Sequence, residues 1–197
     1  MNIHFENLIN EAFPSITEGT KEEIKESIRH ININPRPLFQ TIEKNKLYQG
    51  DIITNISFVT FTKRKKYRKE LLKGMLISNT CDIENDNQIL IAPVYSYTDY
   101  ERIYLNNQSY LKNLKENEIY SEMYLPKYTT DFDMVVDFTG INSFESDFIY
   151  DNFFKKEVNK IITLSQIGYY LLLIKLGIYL FRRESVEVIR EKHNIIN

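Results

Sequence analysis

Tryptophan is absent from this sequence of 197 residues, cysteine occurs once, alanine twice and histidine three times. Each shortage excludes something. A lone Cys81 cannot build a disulfide framework or a multi-cysteine zinc site, and it fits a reducing compartment. His4, His30 and His193 give no helical pair of metal ligands. Six glycines and five prolines exclude collagen-like and low-complexity classes, and no phosphate-cradling glycine loop or serine elbow occurs. A net charge of −2 excludes a protein that is basic throughout. Met1-Asn2-Ile3-His4-Phe5-Glu6 lacks a basic start followed by an apolar run, so no secretory signal is read. The longest apolar stretch, Ile167 to Phe181, is interrupted by Lys175 and falls short of the roughly 18–20 residues that cross a bilayer. A cytoplasmic protein without a membrane span is expected.

What is present is ordinary in bulk: 43% hydrophobic and 26% charged residues, enough for one domain to bury a core without staples. The 27 isoleucines and 19 asparagines reflect coding bias rather than chemistry. The 14 tyrosines and 12 phenylalanines must supply most of the large core volume.

The first 46 residues read as a polar helical arm. Ile3, Phe5, Leu8, Ile9 and Ala12 recur at helical spacing before Pro14. Thr20-Lys21-Glu22-Glu23 has the form of a capping box, opening a short helix to about His30. Pro35-Arg36-Pro37 then predicts an extended break. After Gly50-Asp51 the pattern turns to strands at 52–61, 74–79 and 88–94, the last two joined by a polar turn over Asp82–Asn87 and expected to pair antiparallel. Residues 97–118 read as a helical or irregular insertion with Leu105, Leu111 and Leu114 on its apolar face, and Met123–Pro126 and Met134–Phe138 as later strands. Ile167–Phe181 is apolar nearly all round and predicts a buried helix, with Arg182 and Arg183 complementing its end and an amphipathic continuation beyond. The expected organisation is an arm over 1–46, a β domain over 47–160 and C-terminal helices over 161–197 packed on it.

Lys63-Arg64-Lys65-Lys66-Tyr67-Arg68-Lys69 places six cations in seven residues. Such a run can grip phosphates through counterion release and stack a base on Tyr67, or it can be a solvated hairpin loop that protects a sheet edge. Cys81 has no histidine at a spacing that would make it a thiolate, so a buried, inert thiol is expected. Asp82, Glu84 and Asp86 alternate like cation ligands, but no EF-hand glycine or distal glutamate follows, and a polar turn is the better reading. From Glu116 to Asp151 nine acidic residues face the single Lys127; the lysine expected beside a magnesium nuclease's carboxylates is missing.

Gly50-Asp51-Ile52-Ile53, then a long charged loop, then Met75-Leu76-Ile77-Ser78-Asn79, then Ile89-Leu90-Ile91-Ala92-Pro93-Val94 resemble the PemK/MazF family of toxin endoribonucleases in order and spacing. The match covers residues 50–96 well, and Val135-Val136-Asp137-Phe138 and the C-terminal helix loosely. The resemblance implies an α+β protein with a small, bent antiparallel SH3-like barrel and a two-fold dimer. It also implies metal-free cleavage of single-stranded RNA, without a cofactor.

In that family an arginine opening the second strand and a threonine ending the third carry the chemistry. Lys73 and Tyr95 stand at those places here. Lysine lacks the planar fork of arginine, and tyrosine is a weak base at neutral pH. Ser96 is adjacent to Tyr95 but points to the other side of a strand, and Arg68 or Arg64 could replace the missing arginine. The expected catalytic set is therefore Lys73, Arg68, Tyr95 and Ser96, with Lys63, Arg64, Lys65, Lys66, Tyr67 and Lys69 gripping the backbone. Three readings follow: a catalytically degenerate module binding RNA or an antitoxin-like protein in a toxin–antitoxin or phage-defence setting, an active endoribonuclease, and an unrelated structural protein whose short motifs coincide.

Overall fold

The computed structural model describes Thr17, Gly19, Lys21, Glu22, Glu26 and residues 34–181 except 44, 62–65 and 129. The expected helix at 2–12, the Thr20 cap, Arg182, Arg183 and the continuation beyond them lie outside these residues. Arg36–Leu38 forms a 3-10 turn rather than the expected extended break, which begins only at Phe39. Pro37 lacks an N–H and sits where a turn's first amides are unpaired anyway, so it opens the turn without penalty.

The chain is α+β, with one open antiparallel sheet of eight strands and five α-helices among the described residues. The strands are β1 (Phe39–Gln40), β2 (Ile52–Phe61), β3 (Tyr67–Leu76), β4 (Gln88–Ser96), β5 (Glu122–Leu125), β6 (Met134–Asp137), β7 (Asn142–Glu145) and β8 (Lys160–Leu164). The helices are α1 (Thr80–Asn85), α2 (Tyr97–Ile103), α3 (Gln108–Lys115), α4 (Ser146–Phe154) and α5 (Gln166–Phe181). The order across the sheet is β1-β8-β2-β3-β4-β6-β5, with β7 also beside β4. The expected β3–β4 pairing is present, Leu76 opposite Ile91. The polar arm contributes the edge strand β1, which pairs with β8, and β8 lies between β1 and β2.

Alternation sorts the side chains onto two faces. Ile52, Met75, Ala92, Val94, Val136 and Met123 lie on one face and pack against Leu171, Leu172, Ile174 and Leu176 of α5. Ile53, Ile56, Phe58, Leu76, Ile89 and Ile91 lie on the other, under Ile83 of α1 and Ile149 and Phe153 of α4. Farther along that second face, Tyr124 and Val135 are covered by Tyr97 and Tyr100 of α2 and Leu111 and Leu114 of α3. α5 buries Leu171, Leu172, Ile174 and Leu176, while Leu180 near its end stays exposed.

Two local devices set this frame. Gly50 has φ +89, and a Cβ there would meet Leu164 Cδ1 at 2.7 Å, so glycine serves both the backbone and the packing. Asn55, at φ 62, is the extra residue of a bulge, for Ile53 faces Gly74 while Ile56 faces Leu72. Its side chain donates to the Glu157 carbonyl at 2.7 Å.

Three expectations change. The strand after the basic run begins at Tyr67, not Gly74, because Tyr67, Arg68 and Lys69 already pair with Phe61, Thr60 and Val59. The segment after Asn79 is a short helix rather than a polar turn: Asn79 Oδ1 accepts the Cys81 amide at 3.0 Å, capping α1 and letting it bury Ile83. Leu105 lies in the turn between α2 and α3 and is exposed, leaving Leu111 and Leu114 as the buried leucines of the insertion.

Candidate functional site

Beyond Lys73 the β2–β3 pair has no further strand ladder to the rest of the sheet, and the Val59 amide donates to Asn142 Oδ1 of β7 at 2.9 Å. β4 pairs with β3 only from Lys73 to Leu76, and β8 pairs with β2 only at Ile52 and Ile53. The remainder, Ile56–Phe61 against Tyr67–Leu72, is a two-stranded ribbon. Tyr67, Arg68 and Lys69 are therefore rungs of a ribbon, and Lys66 is the exposed residue entering it. Lys63, Arg64 and Lys65 lie outside the described residues.

The ribbon's two faces differ. On the α5 side, Phe61 lies directly opposite Tyr67, Val59 opposite Lys69 and Ser57 opposite Leu71. Phe61 is 80% exposed, Tyr67 71% and Leu71 65%. Farther along the same face Lys73 Nζ sits 4.6 Å from the ring centroid of Phe132. On the opposite side Arg68 Nη2 lies 2.6 Å from Glu70 Oε1, so its charge is locally matched. Phe58 there is buried and meets Phe144 edge to face, with centroids 5.6 Å apart. Phe61 and Phe132 were not singled out in the sequence; the alternation that ends at Phe61 carried the signal for the first, and nothing local carried it for the second.

The four expected catalytic residues do not converge. Lys73 is opposite Val94 and so shares the α5 face, whereas Tyr95 is opposite Val135 on the other face. Arg68 and Tyr95 do share a face. Burial pushes the Tyr95 hydroxyl up, helped by Asp137 and Glu70 and opposed by Arg68, so it stays a phenol at neutral pH. Ser96 Oγ accepts the Thr98 amide at 3.3 Å, capping α2.

Behind Tyr95 lies a cluster that the sequence did not disclose. Tyr110 donates to Glu122 Oε2 at 2.5 Å, and the Tyr104 and Tyr110 rings are 4.1 Å apart between centroids. Glu122 stands opposite Asp137 across β5 and β6. Burial pushes the Glu122 carboxyl up, the Tyr110 hydroxyl pulls it down and Asp137 pushes it up again. Asp137 Oδ1 accepts both the amide (2.8 Å) and the hydroxyl (2.7 Å) of Thr139. Asp133 accepts the Tyr124 hydroxyl at 2.7 Å and the Lys127 amide at 2.8 Å. Glu122, Asp133 and Asp137 thus serve as local hydrogen-bond acceptors, and no group of three metal-ligating side chains occurs among the described residues.

Lys175, which breaks the apolar run of α5, is 1% exposed. Its ammonium donates to the Asn117 carbonyl at 2.9 Å and to the Ile119 carbonyl. Burial pulls it down to about 7, with Glu122 opposing. Cys81 is exposed, not buried as expected: α1 turns Ile83 inward and leaves the thiol outside.

An open groove of about 730 Å³ runs along Arg36, Phe39 and Tyr128, and another of about 600 Å³ along Tyr97, Leu111 and Lys115. Neither contains an expected catalytic residue. No family model matches the chain, and no curated protein does. No helix among the described residues is long and apolar enough to cross a membrane.

Proposed function

We propose that this chain is a PemK/MazF-like module that binds single-stranded RNA through the β2–β3 ribbon and lacks the family's cleavage chemistry, acting in a toxin–antitoxin or phage-defence setting. The observation that carries this reading is the ribbon, which projects past its neighbouring strands with Lys66, Arg68 and Lys69 on or beside it. The sequence adds Lys63, Arg64 and Lys65 between Phe61 and Lys66. Cations concentrated on one projection of a chain with net charge −2 give a local phosphate site rather than a diffuse one.

Two further features support the reading. β4 pairs with β6 through Val94–Ser96 and with β7 through Gln88–Ile91, both on the side away from β3; a strand that changes partner along its length fits a bent, barrel-like sheet of SH3 type. Lys73 and Tyr95 on opposite faces, with Ser96 engaged as a cap, favour loss of cleavage over the endoribonuclease reading.

The test is fluorescence anisotropy of a labelled oligouridine with the full chain at rising salt, in EDTA. Binding should weaken steeply with salt, fall at least about tenfold when Lys63, Lys65, Lys66 and Lys69 become glutamine, and leave the RNA intact. Absence of binding at low salt sinks the proposal. Cleavage in EDTA that is lost in Lys73→Ala would replace it with the endoribonuclease.

A further inference from the structure

The two faces of the ribbon cannot both carry a nucleic acid. The side away from α5 holds one ion pair, Arg68 with Glu70, and its Phe58 is already covered by Phe144. The α5 side carries Ser57, Val59, Phe61, Tyr67, Lys69, Leu71 and Lys73, without a carboxylate among them. Phe61 and Tyr67 form an exposed cross-strand pair, and Val59 and Leu71 extend the apolar surface on the same face. An apolar patch of this kind next to unmatched cations calls for a partner that is both planar and anionic.

Along β3 the residues facing this side recur every second position, Tyr67, Lys69, Leu71 and Lys73, about 6.6 Å apart. Ring, cation, aliphatic and cation therefore alternate in a line that ends at the Lys73–Phe132 contact. An extended single strand offers rings and phosphates in alternation; a duplex hides its rings in its own stack.

Resting on the RNA-binding reading, we infer that the α5-side face of the ribbon is a stacking track for single-stranded nucleic acid. Unpaired bases lie on the Phe61–Tyr67 rung, and phosphates lie on Lys69 and Lys73. Recognition on such a track is tolerant of sequence, because every base presents a ring face.

The experiment measures anisotropy of the full chain with three probes: an oligouridine, an abasic oligonucleotide of equal length and charge, and a duplex. Wild type should prefer the oligouridine to both others. Phe61→Ala combined with Tyr67→Ala should weaken oligouridine binding about tenfold or more while leaving the abasic probe unchanged. Both side chains are exposed, so circular dichroism should be unaltered, and Tyr67→Phe, which keeps the ring, should bind like wild type. Thr60→Ala, on the other face, should change little. If wild type binds RNA but takes the abasic probe equally well, or the double alanine variant binds as before, the track is wrong while the ribbon reading stands. If wild type binds no RNA, both fail. Binding to phosphatidylserine vesicles that depends on Phe61 and Tyr67, without discrimination among the oligonucleotides, would overturn the track in favour of a lipid-facing ribbon.

Discussion

Lys160 Nζ lies 3.0 Å from Asp51 Oδ2, and both side chains are fully shielded from solvent. The same carboxylate oxygen accepts the Tyr48 amide at 2.8 Å, while the ammonium also donates to the Lys46 carbonyl at 2.5 Å. The pair ties the chain just before β2 to the start of β8. Removing one charge strands the other in the interior, so Asp51→Ala should cost about 3–5 kcal/mol in urea unfolding. Asp51→Asn combined with Lys160→Met keeps an acceptor for Tyr48 and removes both charges. It should be less destabilised than the sum of Asp51→Asn and Lys160→Met measured singly; an additive double variant would mean that the pair is not coupled.

Gly168 in α5 is a second fixed point. A Cβ there would come within 2.3 Å of the Leu38 carbonyl oxygen, a backbone atom that cannot rotate aside. Gly168→Ala should destabilise by about 1–3 kcal/mol or more, with amide exchange quickening at Leu38–Gln40. An unchanged melting temperature would show that the 3-10 turn and β1 yield freely.

Lys175 predicts a dependence on pH. Its folded value is pulled down to about 7 from an ordinary 10.5. Between those values the unfolded chain holds a proton that the folded chain does not, so this residue's contribution to stability rises with pH across that window and is least favourable below it. The unfolding free energy of wild type minus that of Lys175→Met should therefore move in favour of wild type from about pH 7 to about pH 10. A flat difference would place the ammonium's proton affinity near its normal range.

Cys81, exposed on the first turn of α1, should react with a thiol reagent in the native protein without denaturant. Release of one thiol equivalent at the pace of a small free thiol is the expected result; protection until unfolding would put Cys81 inside.

The sequence disclosed what depends on neighbours along the chain. Leu76-Ile77 and Leu90-Ile91 announced β3 and β4, and the all-round apolarity of 167–181 announced a helix buried on several sides. It hid what depends on distant partners. Asp51 reads as a turn residue until Lys160 is seen beside it, and Glu122 as one more surface acid until Tyr110 approaches. Tyr67-Arg68-Lys69 read as a loop because their charge masks a strand whose register is set by Thr60 and Phe61 opposite. Lys73 and Tyr95 could be nominated together from a family pattern, since one-dimensional spacing across two strands does not say which way each side chain turns.

The single inserted residue at Asn55 governs more than a local kink. Ahead of it, odd and even positions of β2 have one assignment to the two sides of the molecule; after it the assignment is exchanged, which is why Ile53 and Ile56 share a core. Were Asn55 to pair as an ordinary strand residue, every downstream residue would exchange sides, sending Phe61 toward the Arg68 side and Phe58 into water; deleting it restores plain alternation and leaves both where they are. The bulged backbone at Asn55 thus decides which side of the molecule each residue of the projection meets.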